Sequence, residues 1–198
     1  MMARARSQQG VALVLALMAM TVLMALGAAL VLITSTETMT AGNFQNGRLA
    51  FYAAEAAAEL ALAELRSRAD WTSFVEGTER SRFVDGVPGG IRSLPIDAPV
   101  DLTAIWNLAN CGTQVSCAGP PRWQLFAYGP LRDFLPGATD SPFYVVAQIA
   151  LAEEDPSGRA VNVRGEAYGP RGAHSAIELT ATPAGPGAPE TTRTHFVP

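Results

Sequence analysis

Few residues in this chain combine a reactive side chain with a spacing that chemistry would need. Cys111 and Cys117 stand six apart in CGTQVSC, the only two cysteines among 198 residues. A C-x5-C pair reads most simply as a disulfide closing a small ring, worth ~2 kcal/mol by chain-entropy reasoning. A metal site wants more ligands, and His174 and His195, the only histidines, are far apart in sequence. Glu153, Glu154 and Asp155 cluster at a Pro/Gly turn; clustered carboxylates suit calcium, but at such a turn they read as a solvated face. Asp133 and Asp140 flank a second Pro/Gly turn and read the same way. No G-x-S-x-G, G-x-x-x-x-G-K-[ST], G-x-G-x-x-G or H-E-x-x-H motif occurs. The expectation is therefore no catalytic, cofactor or metal site. The covalent event to look for is one done to the chain, at Gly10–Val11.

That junction divides a short basic leader from an apolar run. Arg4 and Arg6 precede Gly10, and residues 11–33 carry no charge, the first one afterwards being Glu37. As a helix these 23 residues reach roughly 35 Å, enough to cross a ~30 Å hydrocarbon layer. All 14 basic residues are arginine. Their placement before the run predicts a cytoplasmic N-terminus and an exported remainder, where thiols are normally oxidised. A net charge of −4 without a basic cluster argues against a nucleic-acid partner. A cleaved secretory signal would need a shorter apolar core and a cut site at its end. An uncut signal anchor and a leader clipped after Gly10 both stay open on this stretch alone.

Residues 37–65, ETMTAGNFQNGRLAFYAAEAAAELALAEL, bear on that choice. They resemble the N-terminal region of PilX-type minor pilins, in which an apolar helix is followed by Glu, a Met-Ala-Gly-Asn-like segment and an Ala-Phe-x-Ala-Ala-Glu-Ala block. Here those are Glu37, Met39, Ala41-Gly42-Asn43 and the block starting at Ala50, with Thr40 intruding. The resemblance covers about residues 8–66. It implies a prepilin leader over 1–10, removed by prepilin peptidase after Gly10, and N-methylation of Val11. It implies a type IV pilin-like α+β fold in which a long N-terminal helix packs on a small antiparallel sheet. It also implies an inner-membrane precursor that moves to a cell-surface pilus near the tip, with other minor and major pilins as partners through the helix, and a part in priming assembly and in adhesion or motility. A minor pseudopilin of a type II secretion system shares the same helix. Most pilins carry Glu at the fifth mature position, but here that position is Leu15. A carboxylate in lipid is costly unless paired, and this chain has neither the cost nor the pairing.

The elements that position these residues follow from patterning. The helix is expected over 11–68, roughly 87 Å if straight, with 11–33 transmembrane and a bend or fray near Gly42 and Gly47. Leu49, Ala53, Ala56, Leu60 and Ala63 form one apolar seam at 4-3-4-3 spacing. Phe51, Ala58, Leu62 and Leu65 form an adjoining stripe. One stripe would meet the chain's own sheet and the other its neighbours, with Glu64 and Arg68 as an i,i+4 ion pair. Residues 69–182 read as an exported globular domain. Within it, 69–122 is a long irregular connection rich in Gly and Pro, with 71–75 and 102–106 docking as single turns. Strand patterns follow at 123–128, 143–151, 159–168 and 175–182, predicting a meander of three or four strands. Residues 183–198 read as a mobile tail.

Overall fold

The computed structural model describes residues 4–68, 70–94, 99–135, 137–153, 159–182 and 191–197, with side chains from 10 to 182. The chain divides into two units, Met1–Phe44 and Gln45–Pro198. Helix α1, Arg4–Arg66, belongs to both, and each unit is described by itself.

In the first unit the helix passes through Gly10, Gly27 and Gly42 without interruption. Gly47, in the second unit, is helical too, so the fray expected near 42–47 is absent from the hydrogen-bonded pattern. A glycine costs a helix ~1 kcal/mol relative to alanine, too little to open one flanked by good helix formers.

In the second unit, α1 lies on a five-stranded antiparallel meander. Its strands are β3 (Gln124–Pro130), β4 (Tyr144–Leu151), β5 (Val161–Tyr168), β6 (His174–Thr182) and β7 (Thr191–Val197), paired in chain order. The α+β, pilin-like arrangement expected from the sequence is what forms. The tail reading is corrected over 191–197, which pair with β6 from Thr182↔Thr191 to Ala176↔Val197. TTRTHFV is rich in β-branched residues that fit a pleated surface; 183–190 lie outside the described residues.

The helix face turned to the sheet is mostly alanine: Ala50, Ala53, Ala54, Ala57, Ala58 and Ala61, completed by Leu62 and Leu65, all at most 2% exposed. Val145, Ala147, Ile149, Val163, Ile177 and Leu179 meet it from alternate positions of β4, β5 and β6. The closest approach is at Gly165. A Cβ there would meet the Ala54 carbonyl oxygen and lie 2.9 Å from Ala58 Cβ, so the strand must be bare where the helix crosses it.

The 69–122 connection is more ordered than its composition implies. Trp71 turns the chain after α1 by donating its indole N–H to the Leu65 carbonyl at 2.7 Å, which also accepts from Arg68 N–H at 2.9 Å and so closes the helix end. A single turn, α2 (Thr72–Val75), follows as expected and buries Phe74. Residues 81–85 then run along the free edge of β3, with Ser81 N–H donating to Phe126 O, Tyr128 N–H to Phe83 O and Asp85 N–H to Tyr128 O. They cover an edge that would otherwise invite pairing with another chain.

Two short strands, β1 (Ile91–Arg92) and β2 (Val100–Asp101), lead into α3, Leu102–Cys111. The expected single turn at 102–106 is therefore corrected to a ten-residue helix. Its signals were present: Asp101 accepts from the N–H groups of Thr103 and Ala104, and Gly112 ends the helix at φ 69°, where glycine is at home. Leu102 and Ile105 pack with Tyr144, Val146, Leu125 and Tyr128 on the sheet face opposite α1. Both faces of the β3–β4 half are thus covered.

One substitution tests the helix–sheet contact. Gly165→Ala should destabilise the protein by about 2–3 kcal/mol, the cost of forcing atoms into a filled core. Urea unfolding followed by tryptophan fluorescence measures it, and a change within about 0.5 kcal/mol would show that the approach is not tight.

Candidate assembly interface

In the unit Met1–Phe44, residues 10–41 are exposed on every side of the helix, whose most apolar window has a mean hydropathy of 2.5. Val11 and Leu15 are each 61% exposed, and Met24, Val31 and Leu32 about 70% or more. A helix apolar all round belongs in lipid or among other helices, not in water. Its threonine hydroxyls are already satisfied. The hydroxyls of Thr34, Thr36, Thr38 and Thr40 donate to the carbonyls four residues back at 2.8–3.0 Å, and Thr21 donates to Met18 O. Bonded in this way, these threonines enter an apolar setting at little cost.

The second half of α1 divides the expected seam. Ala53 is 2% exposed and sits in the chain's own core, whereas Leu49 is 44% exposed. Ala56 and Leu60 are half-buried, and Ala63 is exposed. Ala58, Leu62 and Leu65 of the adjoining stripe face the sheet. The alternation of Ala pairs (53/54, 57/58) broadens the buried face beyond a single 4-3 seam, because the flat sheet receives two rows of a helix at once. Ala56 and Leu60 pack on the margin of that core, and Leu49 and Ala63 stay exposed. The ion pair expected between Glu64 and Arg68 is also replaced. Glu64 accepts from the Ser81 hydroxyl and from Arg82 N–H at 3.3 Å, and Arg68 pairs with Glu79 at 2.8 Å. Contacts from the next segment outcompete a helical pair worth only ~0.3–0.5 kcal/mol.

Cys111 and Cys117 are joined, their Cα atoms 5.9 Å apart. The ring lies between α3 and β3, and Asn110 fixes its base: the side-chain oxygen accepts from Trp123 N–H at 2.7 Å and the amide donates to Trp123 O at 3.0 Å. Val115, within the ring, is 73% exposed. Of the acidic turn, Glu153 pairs with Arg122 at 2.9 Å; Glu154 and Asp155 lie outside the described residues.

The sequence reading missed a buried carboxylate. Glu166 of β5 is 3% exposed and accepts from Arg164 Nε at 2.7 Å, from the Tyr168 hydroxyl, and pairs with His174 Nε2 at 3.2 Å. Residues 164, 166 and 168 share one face of the strand by period-2 alternation, and Tyr168 stands directly across from His174. Burial pushes the Glu166 pKa up, but the His174 hydrogen bond, the Arg164 charge and the Tyr168 hydroxyl outweigh it and hold it below 4.5. The alternation R-x-E-x-Y was the available signal.

A long N-terminal helix laid on an antiparallel sheet, its first half apolar on every side, is the pilin class of structure. Residues 9–59 match the PilX N-terminal family. Over this stretch the chain carries a PilX-type pilin N-terminus. The match spans the helix that is long and apolar enough to cross a membrane. No curated protein and no solved structure matches the chain.

The Glu166 cluster has a measurable consequence. A carboxylate whose pKa is lowered on folding adds stability above its unfolded pKa and loses it as pH falls. Wild-type stability should fall from about pH 4.5 downward, and Glu166→Gln should flatten that slope while costing about 3–5 kcal/mol at neutral pH. Denaturant midpoints measured at pH 3, 5 and 7 (buffer choices about the carboxylate range) check it. An unchanged slope would remove Glu166 as the cause.

Proposed function

We propose that this chain is a minor pilin of a type IV pilus, made as a precursor and cut between Gly10 and Val11. Residues 1–10 are the cytoplasmic leader, 11–33 rest in the inner membrane, and the unit carrying the sheet is exported. After prepilin peptidase removes the leader and Val11 is N-methylated, the helix leaves lipid for the flanks of other pilin helices. The observation that carries this reading is the family match over 9–59, which spans the proposed cut and the exposed apolar helix.

Three further features support it. A Cβ at Gly10 would meet nothing within 4 Å, and its φ is not left-handed. Neither turn nor packing within the chain calls for glycine there, so a peptidase that needs the backbone unobstructed supplies the reason. Gly27 is equally free of contacts, as a site of close helix–helix approach would be before assembly. The threonine hydroxyls, bonded within the helix, let the same surface face lipid first and protein afterwards.

Leu15 sets the place of the subunit. Without a carboxylate at the fifth mature position it offers no counter-charge to a neighbour's terminal amine. Such a subunit suits a low-copy position near the tip, where it helps prime assembly and presents its exported unit for adhesion or motility.

N-terminal sequencing of the purified protein should start at N-methylated Val11, and a start at Met1 or Met2 would overturn the reading. Deleting the gene should reduce surface fibres; intact fibres with lost exoprotein secretion would move the chain to a type II secretion pseudopilus. Leu15→Glu should raise the abundance of the subunit along sheared fibres, measured by mass spectrometry. Unchanged abundance would refute the placement.

A further inference from the structure

Residues 85–90 form a loop that carries its own fastening. Arg92 donates through Nε to Asp85 at 3.0 Å, through Nη2 to Val87 O at 2.7 Å and through Nη1 to Gly89 O at 3.0 Å. The loop is also tied to α3. Gly90 N–H donates to the Thr103 hydroxyl oxygen at 2.8 Å, and Leu102 N–H to Gly90 O at 3.0 Å. Between this loop, α3 and the start of β3 lies a cavity of about 290 Å³, whose lining includes Arg80, Pro88, Thr103, Trp106, Gln124 and Leu125. Trp106 is fixed by its indole N–H, which donates to Trp123 O at 2.6 Å. Gln124 lies against bare backbone, since a Cβ at Gly77 would stand 2.7 Å from its Oε1. The walls are therefore set before a ligand enters, which lowers the cost of binding one.

What the walls leave unspent defines the ligand. Among the described residues no hydrogen bond or ion pair engages the Arg80 guanidinium. Burial raises the Tyr128 pKa and the Arg80 charge opposes that rise, so the charge acts on the α3 side of the sheet, where Tyr128 packs with Leu102 and Ile105. The Thr103 hydroxyl accepts from Gly90, and its own proton has no acceptor among the described residues. The Gln124 amide is unpaired there too. With its N–H used, Trp106 offers the cavity ring surface, and Pro88 and Leu125 add apolar wall. Two carboxylates of the same segments are already spent: Asp101 accepts from Thr103 and Ala104 N–H, and Asp85 from Arg92.

We propose that this cavity binds one acidic sugar unit, a hexuronate, with its carboxylate on Arg80 and one C–H face of its ring on Trp106. A guanidinium fork matches a carboxylate in shape as well as charge. The C–H groups of a sugar ring are weakly positive and meet the negative face of an indole. Thr103 and Gln124 supply the donors and acceptor that sugar hydroxyls need. A phosphate chain fits less well, because it draws on several converging donors and one guanidinium lines this cavity. An aromatic acid would leave the Thr103 and Gln124 groups unpaired, which costs binding energy. The volume lies at the small end of ligand pockets and holds one ring. Only the access of this unit to sugars outside the cell rests on the export reading given above.

The test is saturation-transfer difference NMR on the full chain, held in a sugar-free polyoxyethylene detergent. Methyl β-D-glucuronide should bind about tenfold more tightly than methyl β-D-glucoside, with saturation strongest on the hydrogens of one ring face. Sodium acetate at matched concentration should not displace it. Arg80→Gln removes a side chain without partners in the fold and should bring the two glycosides to equal affinity. Trp106→Leu should abolish binding of both. Thermal unfolding checks that this variant folds, and if it does not, the ring-face pattern in the wild type decides the stacking. No binding, equal binding of the two glycosides by the wild type, a preference that survives Arg80→Gln, even saturation around the ring, or displacement by acetate would each overturn the proposal. Failure here leaves cleavage at Gly10–Val11 untouched, because N-terminal sequencing reads that event independently.

Discussion

Where α1 crosses β5, backbone nearly touches backbone: Gly165 has no side chain, and Ala54 and Ala58 have only a methyl. A sheet of β-branched and aliphatic residues pressed against a helix of leucines would stand farther off and leave the margins of the helix raised. With alanine along the contact the helix sinks into the twisted sheet, and both rows of Ala pairs are buried at once. The attraction per residue is small, since a methyl hides little apolar surface. It is spread over about four helical turns, and Leu62, Leu65 and Phe126 lock its end.

The connection between helix and sheet then does three mechanical jobs. Residues 81–85 pair with the edge of β3 and so keep the meander from recruiting a foreign strand. Helix α3 covers the second face of β3 and β4 through Leu102 and Ile105. The disulfide and Asn110 fix the return from α3 to β3, leaving the ring between Cys111 and Cys117 outside the core. An exposed valine in that ring is affordable because the cross-link, rather than burial, holds its shape.

The polar face of β5 and β6 is organised differently. Glu166 is almost wholly buried, and its charge is met by Arg164, Tyr168 and His174 rather than by solvent. Such a cluster ties two neighbouring strands through their side chains as well as their backbones, at the cost of stability once the carboxylate takes up a proton. Together with the alanine contact it makes the β5–β6 hairpin the part of the sheet whose two faces work by opposite means.

Patterns of one element were legible in the sequence. An uncharged run of 23 residues after two arginines made a membrane-length helix whatever followed, and alternation with turn residues announced four strands of the meander. The C-x5-C spacing announced the disulfide. What resisted reading were choices among near-equal local options. The stripe of Leu49, Ala56 and Leu60 and that of Ala58, Leu62 and Leu65 are comparably apolar, and only the sheet decides which is buried. Asp101 and Gly112 were caps for a helix that a run of prolines and glycines disguised as loop. Thr191–Val197 gained its strand from the free edge of β6, and Glu64 and Arg68 found partners in residues 79–82 that no helical spacing names. Sequence alone determined where the chain is apolar over a membrane-crossing length and where the long helix and four of the strands form, because those depend on composition and period within one stretch. The tertiary structure alone decided which helix face is spent on the chain's own core and how Glu166 is buried among Arg164, Tyr168 and His174, because each depends on residues brought together across distances that local periodicity does not encode.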